Sequence, residues 1–201
     1  MTAILKVDTI QDTAGNNIIN ESSNTITIGA SGDTVAVPSG ATLNIAGTAG
    51  TGLTNTPAFE AYASASQSGI GDNTATKMAM NTELFDTNSM YDTSAYRFTP
   101  TVAGKYFVYG MIYMEASSQN RINRAVVAIY KNGSLYKQFL PYYGADNVSW
   151  VVSGSVATAI DFNGSSDYVE LYGQLNVYTG TGELDGRQGQ GVFGAYRIIG
   201  A

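Results

Sequence analysis

The chain has 201 residues, 44% of them hydrophobic and only 13% charged, and it contains neither histidine nor cysteine. The absence of these residue types excludes a disulfide framework and a Ser-His-Asp triad, and it removes nearly all zinc chemistry. The net charge is −6 and no run of Lys or Arg occurs, so a nucleic acid is not the expected partner. We therefore predict a protein that is not an enzyme and that has neither a cofactor nor a metal site.

The N-terminus gives no sign of a targeting segment. The first residues, MTAILKVDTIQD, lack the basic and apolar regions of a signal peptide. The longest apolar run, residues 106–114, is too short to cross a membrane as a helix. We expect a chain that is made in the cytoplasm and does not insert into a membrane.

Aromatic residues divide the chain into two parts. Residues 1–57 contain no Phe, Tyr or Trp, and every aromatic residue (14 Tyr, 7 Phe and 1 Trp) follows Pro57. Short apolar pairs begin at Ile18 and divide the first part again. The sequence therefore predicts an N-terminal segment over 1–17, a stalk over 18–57 and a larger domain over 58–201.

The predicted stalk consists of short apolar pairs separated by Gly-rich turns. Two apolar residues spaced by two share one face of a strand, and such strands repeating at this period are typical of β-helix or β-prism rungs. Each rung offers too little apolar area to offset its ordering cost, so we expect three chains or a partner protein to close the core. A flexible linker is the alternative. The pairs are Ile18/Ile19, Ile26/Ile28, Val35/Val37 and Leu43/Ile45.

Residues 58–201 are predicted to be strands and turns. Asn132-Gly133 lies between two apolar runs and indicates a β-hairpin with a type I′ turn. The Gly-rich segment Tyr178–Gly191 is expected to be a surface loop. Short strands with regular turns and no helical periodicity indicate an antiparallel jelly-roll sandwich. The predicted strands are Phe59–Ala63, Thr76–Thr82, Phe98–Pro100, Lys105–Met114, Ala125–Lys131, Tyr136–Leu140, Trp150–Ile160, Tyr168–Asn176 and Gly191–Ile199.

One predicted strand, residues 104–114, is apolar on both faces. An antiparallel sandwich normally leaves one face of each strand polar and wet. The sequence therefore predicts that a neighbouring subunit covers the outer face, and the alternative is a strand buried within a larger domain. The residues assigned to core or trimer packing are Tyr106, Phe107, Tyr109, Met111, Tyr113 and Phe193.

An aromatic cluster near the middle of this domain is a candidate receptor-binding surface. Aromatic faces next to Asn can stack on and hydrogen-bond a sugar ring, so a host surface glycan is a possible partner. The alternative is that these side chains fill the core or the trimer seam. The candidates are Tyr136, Tyr142, Tyr143, Asn147 and Trp150, with Phe139 among them.

Carboxylates suggest two further alternatives. Oxygen ligands for Ca²⁺ are available, but none has the dense Asp-x-Asp-x-Asp spacing of a dedicated loop. No carboxylate pair suited to glycan hydrolysis stands out either. The aspartates considered are Asp86, Asp92, Asp161 and Asp167.

The second part contains a series of short motifs in a characteristic order. They are Leu84–Asp86, Tyr91–Ser94, Tyr96–Pro100, Gly104–Phe107, Tyr130–Gly133, Gly154–Ile160, Ser166–Leu171 and Val192–Tyr196. With these motifs, residues 58–201 resemble the C1q/TNF-like family. Three positions depart from the family's pattern: Val108 replaces an aromatic residue, Val192 the closing Phe and Ser166 a Gly. The resemblance implies a jelly-roll fold and a homotrimer.

Three segments of the first part, Ile4–Asp12, Thr25–Val35 and Pro38–Leu43, carry a second resemblance. Ile4–Asp12 is similar to the N-terminal segment of bacteriophage fibre proteins, notably those of marine and cyanobacterial phages, and the other two are similar to the repeated shaft segments of those proteins. Such proteins attach by the N-terminus and present a C-terminal trimeric knob. The resemblance implies a virion location and docking on another virion protein through Ile4, Leu5, Val7 and Ile10.

Together these features give one main hypothesis and two rivals. The main hypothesis is a short homotrimeric phage tail fibre whose knob contacts the host surface by multivalent binding. The first rival, favoured by the short stalk, is a head fibre or capsid decoration protein of the same design. The second is a glycan-degrading tailspike, which the thin stalk and the lack of a carboxylate pair disfavour.

Overall fold

The computed structural model describes residues 9–11, 13, 15, 17–22, 25–28, 32–43, 54–117, 122–143 and 149–199. The chain divides into two compact units, residues 1–48 and residues 49–201. All regular elements in the described ranges are strands, which confirms the all-β prediction. Among these residues there is no helix with the length and hydropathy needed to span a membrane.

The first unit contains a three-stranded antiparallel meander. It comprises β1 (Thr9–Gln11), β2 (Asn17–Ser22) and β3 (Thr25–Ile28), paired in that order. Ile26 and Ile28 on β3 are 68% and 57% exposed, so the sheet leaves apolar side chains uncovered.

The strand expected around Val35 and Val37 is absent. Residues 33–38 lie outside any strand, and both valines are exposed, as is Leu43. A strand needs a neighbouring strand to pair with, and in the described part of this unit no strand pairs with Val35 or Val37. Ile45 lies outside the described residues.

The second unit contains thirteen strands and no other regular element among its described residues. They are β4 (Ala58–Tyr62), β5 (Gln67–Ile70), β6 (Thr76–Lys77), β7 (Thr82–Asp86), β8 (Tyr91–Asp92), β9 (Arg97–Phe98), β10 (Gly104–Ala116), β11 (Ile122–Lys131), β12 (Ser134–Tyr143), β13 (Val151–Phe162), β14 (Val169–Val177), β15 (Gly182–Asp185) and β16 (Val192–Arg197).

These strands form two antiparallel sheets that pack as a sandwich, as the sequence predicts. The seven-stranded sheet has the order β5-β15-β10-β16-β4-β7, with β13 paired to β10. The six-stranded sheet has the order β12-β11-β14-β9-β8, with β6 paired to β14. In the first sheet, β10 pairs with β13 from Gly104 to Glu115 on one edge and with β16 and β15 on the other.

The core between the sheets is rich in stacked aromatic rings. Phe59 stacks on Tyr91 and on Phe98, each at 4.5 Å between ring centroids, and Phe193 meets Phe59 edge-on at 5.1 Å. Tyr106 is completely buried and its hydroxyl donates to the Val102 carbonyl at 2.8 Å. Tyr106 and Phe193 are therefore core residues of a single chain.

The Asn132-Gly133 hairpin has the geometry that its sequence predicts. Asn132 has φ +52° and Gly133 has φ +76°. Positive φ at both central residues is the mark of a type I′ turn, which matches the twist of the strands it joins.

Several segments differ from the sequence prediction; β5 (Gln67–Ile70) and β8 (Tyr91–Asp92), for example, form where the sequence predicts no strand. The strand predicted over Thr76–Thr82 is split between β6 in one sheet and β7 in the other. Met78 and Met80 alternate with partly buried neighbours and give a strand-like pattern where the chain crosses the core. The segment Tyr178–Gly191, expected to be a surface loop, contains β15, because Leu184 is fully buried despite its Gly-rich surroundings.

We predict that Gly164→Ala destabilises the jelly roll more than Gly189→Ala does. Both glycines have positive φ, +71° and +89°. A Cβ at Gly164 would lie 2.4 Å from the backbone nitrogen of Ala103, whereas a Cβ at Gly189 meets nothing within 4 Å. The control should cost about 1 kcal/mol from backbone strain alone, and Gly164→Ala about 2–3 kcal/mol. Urea unfolding measures both, and equal losses would contradict the steric explanation.

Candidate functional site

An apolar row runs along the outer face of the seven-stranded sheet. Even-numbered residues of β10 such as Val108 and Ile112 are completely buried, whereas the odd-numbered ones are half-buried on the opposite face. Tyr196 on β16 lies beside Phe107, with 5.5 Å between the ring centroids, and is 39% exposed. We call this set the aromatic face; it consists of Phe107, Tyr109, Met111, Tyr113 and Tyr196.

Small residues flank the aromatic face on both sides. Gly194 on β16 pairs with Tyr109 on β10. A Cβ added to Gly194 would lie 2.4 Å from two atoms at the end of the Tyr109 side chain. The ring therefore lies directly over the glycine. On the other side, Ala157 and Ala159 of β13 pair with Tyr109 and Phe107 and are exposed. The large side chains of the aromatic face therefore keep part of their surface exposed to solvent.

The polar end of Tyr109 is satisfied within the same face. Its hydroxyl donates a 2.6 Å hydrogen bond to Oε2 of Glu60 on β4. Burial, together with this hydrogen bond to the carboxylate, raises the pKa of Tyr109 far above its ordinary value. The phenol stays protonated at neutral pH and remains a donor to Glu60.

A cavity of about 240 Å³ lies beside the aromatic face. Its wall includes Glu60, Tyr62, Leu84, Met111 and Gln188, which belong to three strands and to the segment after β15.

An ion pair holds that segment in place. Asp185 has a side chain only 4% exposed, and its carboxylate accepts from Nε of Arg187 at 3.0 Å and from Nη2 at 2.6 Å. The backbone N–H of Arg187 also donates to Asp185, at 2.9 Å. These hydrogen bonds from Arg187 lower the pKa of Asp185.

A second uncovered apolar surface lies on β12. This strand pairs only with β11 among the described strands, so it is the edge of its sheet. Four of its apolar side chains are between 43% and 51% exposed. We call this set the apolar edge; it consists of Leu135, Tyr136, Phe139 and Leu140.

The residues predicted to bind a receptor are only partly within the described structure. Tyr136 is 47% exposed on the apolar edge, and Trp150 is 42% exposed just before β13. The indole N–H of Trp150 donates to the Ala116 carbonyl at 2.8 Å, which ties the ring to the end of β10. The side chains of Tyr142 and Tyr143, and all of Asn147, lie outside the described residues.

The residues predicted to dock on the virion are mostly outside the description too. Ile4, Leu5 and Val7 are not among the described residues, and Ile10 lies on β1 with 39% of its surface exposed.

The aspartates considered for Ca²⁺ are engaged locally. Asp92 accepts from Ser94 and Ala95, and Asp161 pairs with a lysine at 2.6 Å. No group of three or more Asp or Glu side chains able to hold a metal is found in the described ranges.

Sequence reasoning missed a polar cluster on the outer face of the six-stranded sheet. Glu170 on β14 has a side chain only 3% exposed, although it points away from the core. Its Oε1 accepts from Lys77 at 3.1 Å and from Arg97 at 3.0 Å, and its Oε2 accepts from Tyr172 at 3.3 Å. The partners lie 93 and 73 residues away in the chain, so no local motif marks the cluster.

The fold defines the second unit as a TNF-like jelly roll. The structure of the Eiger TNF from S. frugiperda matches with a TM-score of 0.52, 12% identity, and coverage of 72% of this chain and 93% of that one. Murine APRIL at pH 5.0 matches with a TM-score of 0.48 and 10% identity over 70% of this chain and 98% of that one.

The sequence comparison relates the chain to a phage-like element. It is 32% identical over 111 residues to the protein XkdV of the phage-like element PBSX of Bacillus subtilis strain 168. The match covers 52% of this chain but only 15% of XkdV. No protein-family model matches the chain.

We predict that the Asp185–Arg187 pair makes the protein acid-sensitive. Because the folded pKa of Asp185 lies below its unfolded value, the pair stabilises the fold above about pH 4 and is lost as the pH falls through the folded pKa. Asp185→Asn should cost about 1–2 kcal/mol at pH 7. Urea unfolding between pH 7 and pH 3 should show a flatter decline in the variant, and an unchanged decline would contradict this role.

Proposed function

We propose that this chain is a structural protein of a phage virion, a short homotrimeric tail fibre whose C-terminal knob contacts the host surface. The single observation that carries the proposal is that one chain leaves two separate apolar surfaces at least partly exposed to solvent, the aromatic face and the apolar edge. The similarity to a protein of a phage-like element supports the virion setting. The role is mechanical and requires no catalytic chemistry.

The two surfaces occupy different positions in the fold, which favours a closed ring of subunits over a two-fold symmetric dimer. The aromatic face is the middle of a sheet, whereas the apolar edge is a single outer strand. A contact between two different surfaces is heterologous, and such contacts close into rings when the rotation permits. Exposed apolar patches of this kind are typical of subunit interfaces. The resemblance to the C1q/TNF-like family makes a ring of three the expected number.

The first unit fits the same assembly. Ile26, Ile28, Val35 and Leu43 are between 57% and 68% exposed in a single chain, and sister chains would cover them. In the proposed fibre, residues 18–57 form the stalk and residues 1–17 dock on another virion protein. Three knobs on one stalk multiply a weak single-site affinity through effective concentration.

We predict that the purified full chain has about three times its 21.2 kDa mass by light scattering. Met111→Asp on the aromatic face and Phe139→Asp on the apolar edge should each yield monomers, because an unpaired charge would be buried in the contact. Mixing the two variants should restore a dimer, since one chain keeps an intact face and the other an intact edge.

Two results would contradict this assembly. If the wild-type chain is a monomer, the proposed trimer is wrong. If the two variants remain trimeric, the aromatic face and the apolar edge are not the subunit contact. Thr179→Asp is the matched control, because Thr179 is exposed between β14 and β15 and belongs to neither surface, so the variant should leave the mass unchanged.

We also predict that antibodies raised against the jelly roll label the tail of the virion in negative-stain electron microscopy. Labelling on the head would instead identify a head fibre or decoration protein, the role that the short stalk favours. An absence of label on intact particles, with label in the lysate, would contradict a virion role.

A further inference from the structure

The polar cluster around Glu170 presents positive charge outwards. The carboxylate itself is 3% exposed, whereas the side chains of Lys77 and Arg97 are 30% and 36% exposed. A buried carboxylate is tolerated only when it is paired, so Glu170 fixes both cations in position. Solvent therefore meets two ordered cations, with the negative charge hidden beneath them.

Both cations retain hydrogen-bonding capacity. Lys77 donates to Glu170 and to the Ala95 carbonyl, which uses two of its three N–H groups. Within the described residues, Arg97 hydrogen-bonds through its side chain only to Glu170, and it does so through Nη2. Its Nη1 amino group is therefore available to a further acceptor.

Two tyrosines border the cations. The Arg97 guanidinium lies 4.2 Å from the ring centroid of Tyr168, and the Lys77 ammonium lies 6.0 Å from that of Tyr96. Both rings are only partly buried. Next to them, Tyr130 and Tyr172 stack at 4.0 Å between ring centroids.

The backbone at Tyr96 adds an independent sign of function. Its φ is +55°, a conformation that a bulky residue rarely adopts and that costs about 1–3 kcal/mol. Strain of this kind concentrates at binding sites, where it holds a side chain in a required position. Here it holds the Tyr96 ring beside Lys77.

One further acidic group lies near the cations. Asp92 pairs with Arg97 across β8 and β9, and its Oδ1 accepts from the backbone N–H groups of Ser94 and Ala95 and from the Ser94 hydroxyl. Those hydrogen bonds lower the pKa of Asp92, and the charge of Arg97 lowers it further, so Asp92 is an exposed anion beside this cation.

We propose that this surface binds a carboxylated sugar, in which Arg97 and Lys77 contact a uronate carboxylate and Tyr96 and Tyr168 border the sugar ring. A guanidinium and an ammonium together suit a carboxylate acceptor. Tyrosine rings supply apolar area for the C–H face of a pyranose and hydroxyls for its oxygens. The ligand class is an acidic polysaccharide of the kind that a cell surface displays.

The proposal deepens the proposed function, and it rests on that function only for its biological setting. The aromatic face, assigned above to subunit contacts, belongs to the seven-stranded sheet. The apolar edge is β12 of the six-stranded sheet, which β11 separates from β14, whereas Lys77 and Arg97 lie on β6 and β9 along the opposite side of β14. Each copy in the proposed trimer thus contributes one free uronate site.

The test is a calorimetric titration of the full chain with glucuronate oligosaccharides and with the matched glucose oligosaccharides, which lack the carboxylate. Glucuronate should bind at least about tenfold more tightly than glucose, and Arg97→Gln should weaken glucuronate binding by about tenfold or more. Arg187→Gln removes a cation from the other sheet and is the matched control, with unchanged binding expected.

Several results would overturn the proposal. These are equal affinity for glucuronate and glucose, no binding of either, or full binding by Arg97→Gln. Loss of binding in Trp150→Ala with retention in Arg97→Gln would move the sugar site to the cluster around Trp150. Should Arg97→Gln fail to fold, Tyr168→Ala replaces it with the same expected loss. A trimeric, tail-labelled protein that ignores glucuronate would refute this site and leave the fibre role intact.

Discussion

The pairing of β10 on both of its edges is the constraint on which the remaining architecture depends. Hydrogen bonds to β13 on one side and to β16 and β15 on the other fix which of its faces meets the core. The strand is apolar on both faces, and successive side chains point to opposite sides. Because Tyr106 and Ile112 point into the core, Phe107, Tyr109 and Met111 must point outwards. The glycine beneath Tyr109 and the bond to Glu60 then hold the outer row in one arrangement.

The sandwich was predictable from the sequence because its signals are local. Alternation within β10 and the Asn132-Gly133 turn each depend on residues close together in the chain, and both have the expected geometry. Prediction failed where a tertiary contact overrides local pattern. Residues 76–82 alternate like one strand but cross between sheets, and β15 forms in a Gly-rich segment because Leu184 is buried against the opposite sheet.

The candidate surfaces were predictable to different degrees. The aromatic face follows from a single strand whose two faces are both apolar, so one window of sequence contains the whole signal. The cluster around Glu170 depends instead on Lys77 and Arg97, which reach it from two other strands. The local sequence around Glu170, between Val169 and Leu171, does not indicate which cations pair with it. The strand order in the sheet is needed to identify them.

The indole of Trp150 gives the chain a built-in optical probe. It is the single tryptophan of the chain, it is 42% exposed, and its N–H is anchored to the carbonyl of Ala116. Its emission wavelength therefore reports on one surface position at the end of β10, without any label. Burial of that position by a ligand or a sister chain would shift the emission to the blue, so binding at this one position can be followed in dilute solution in real time.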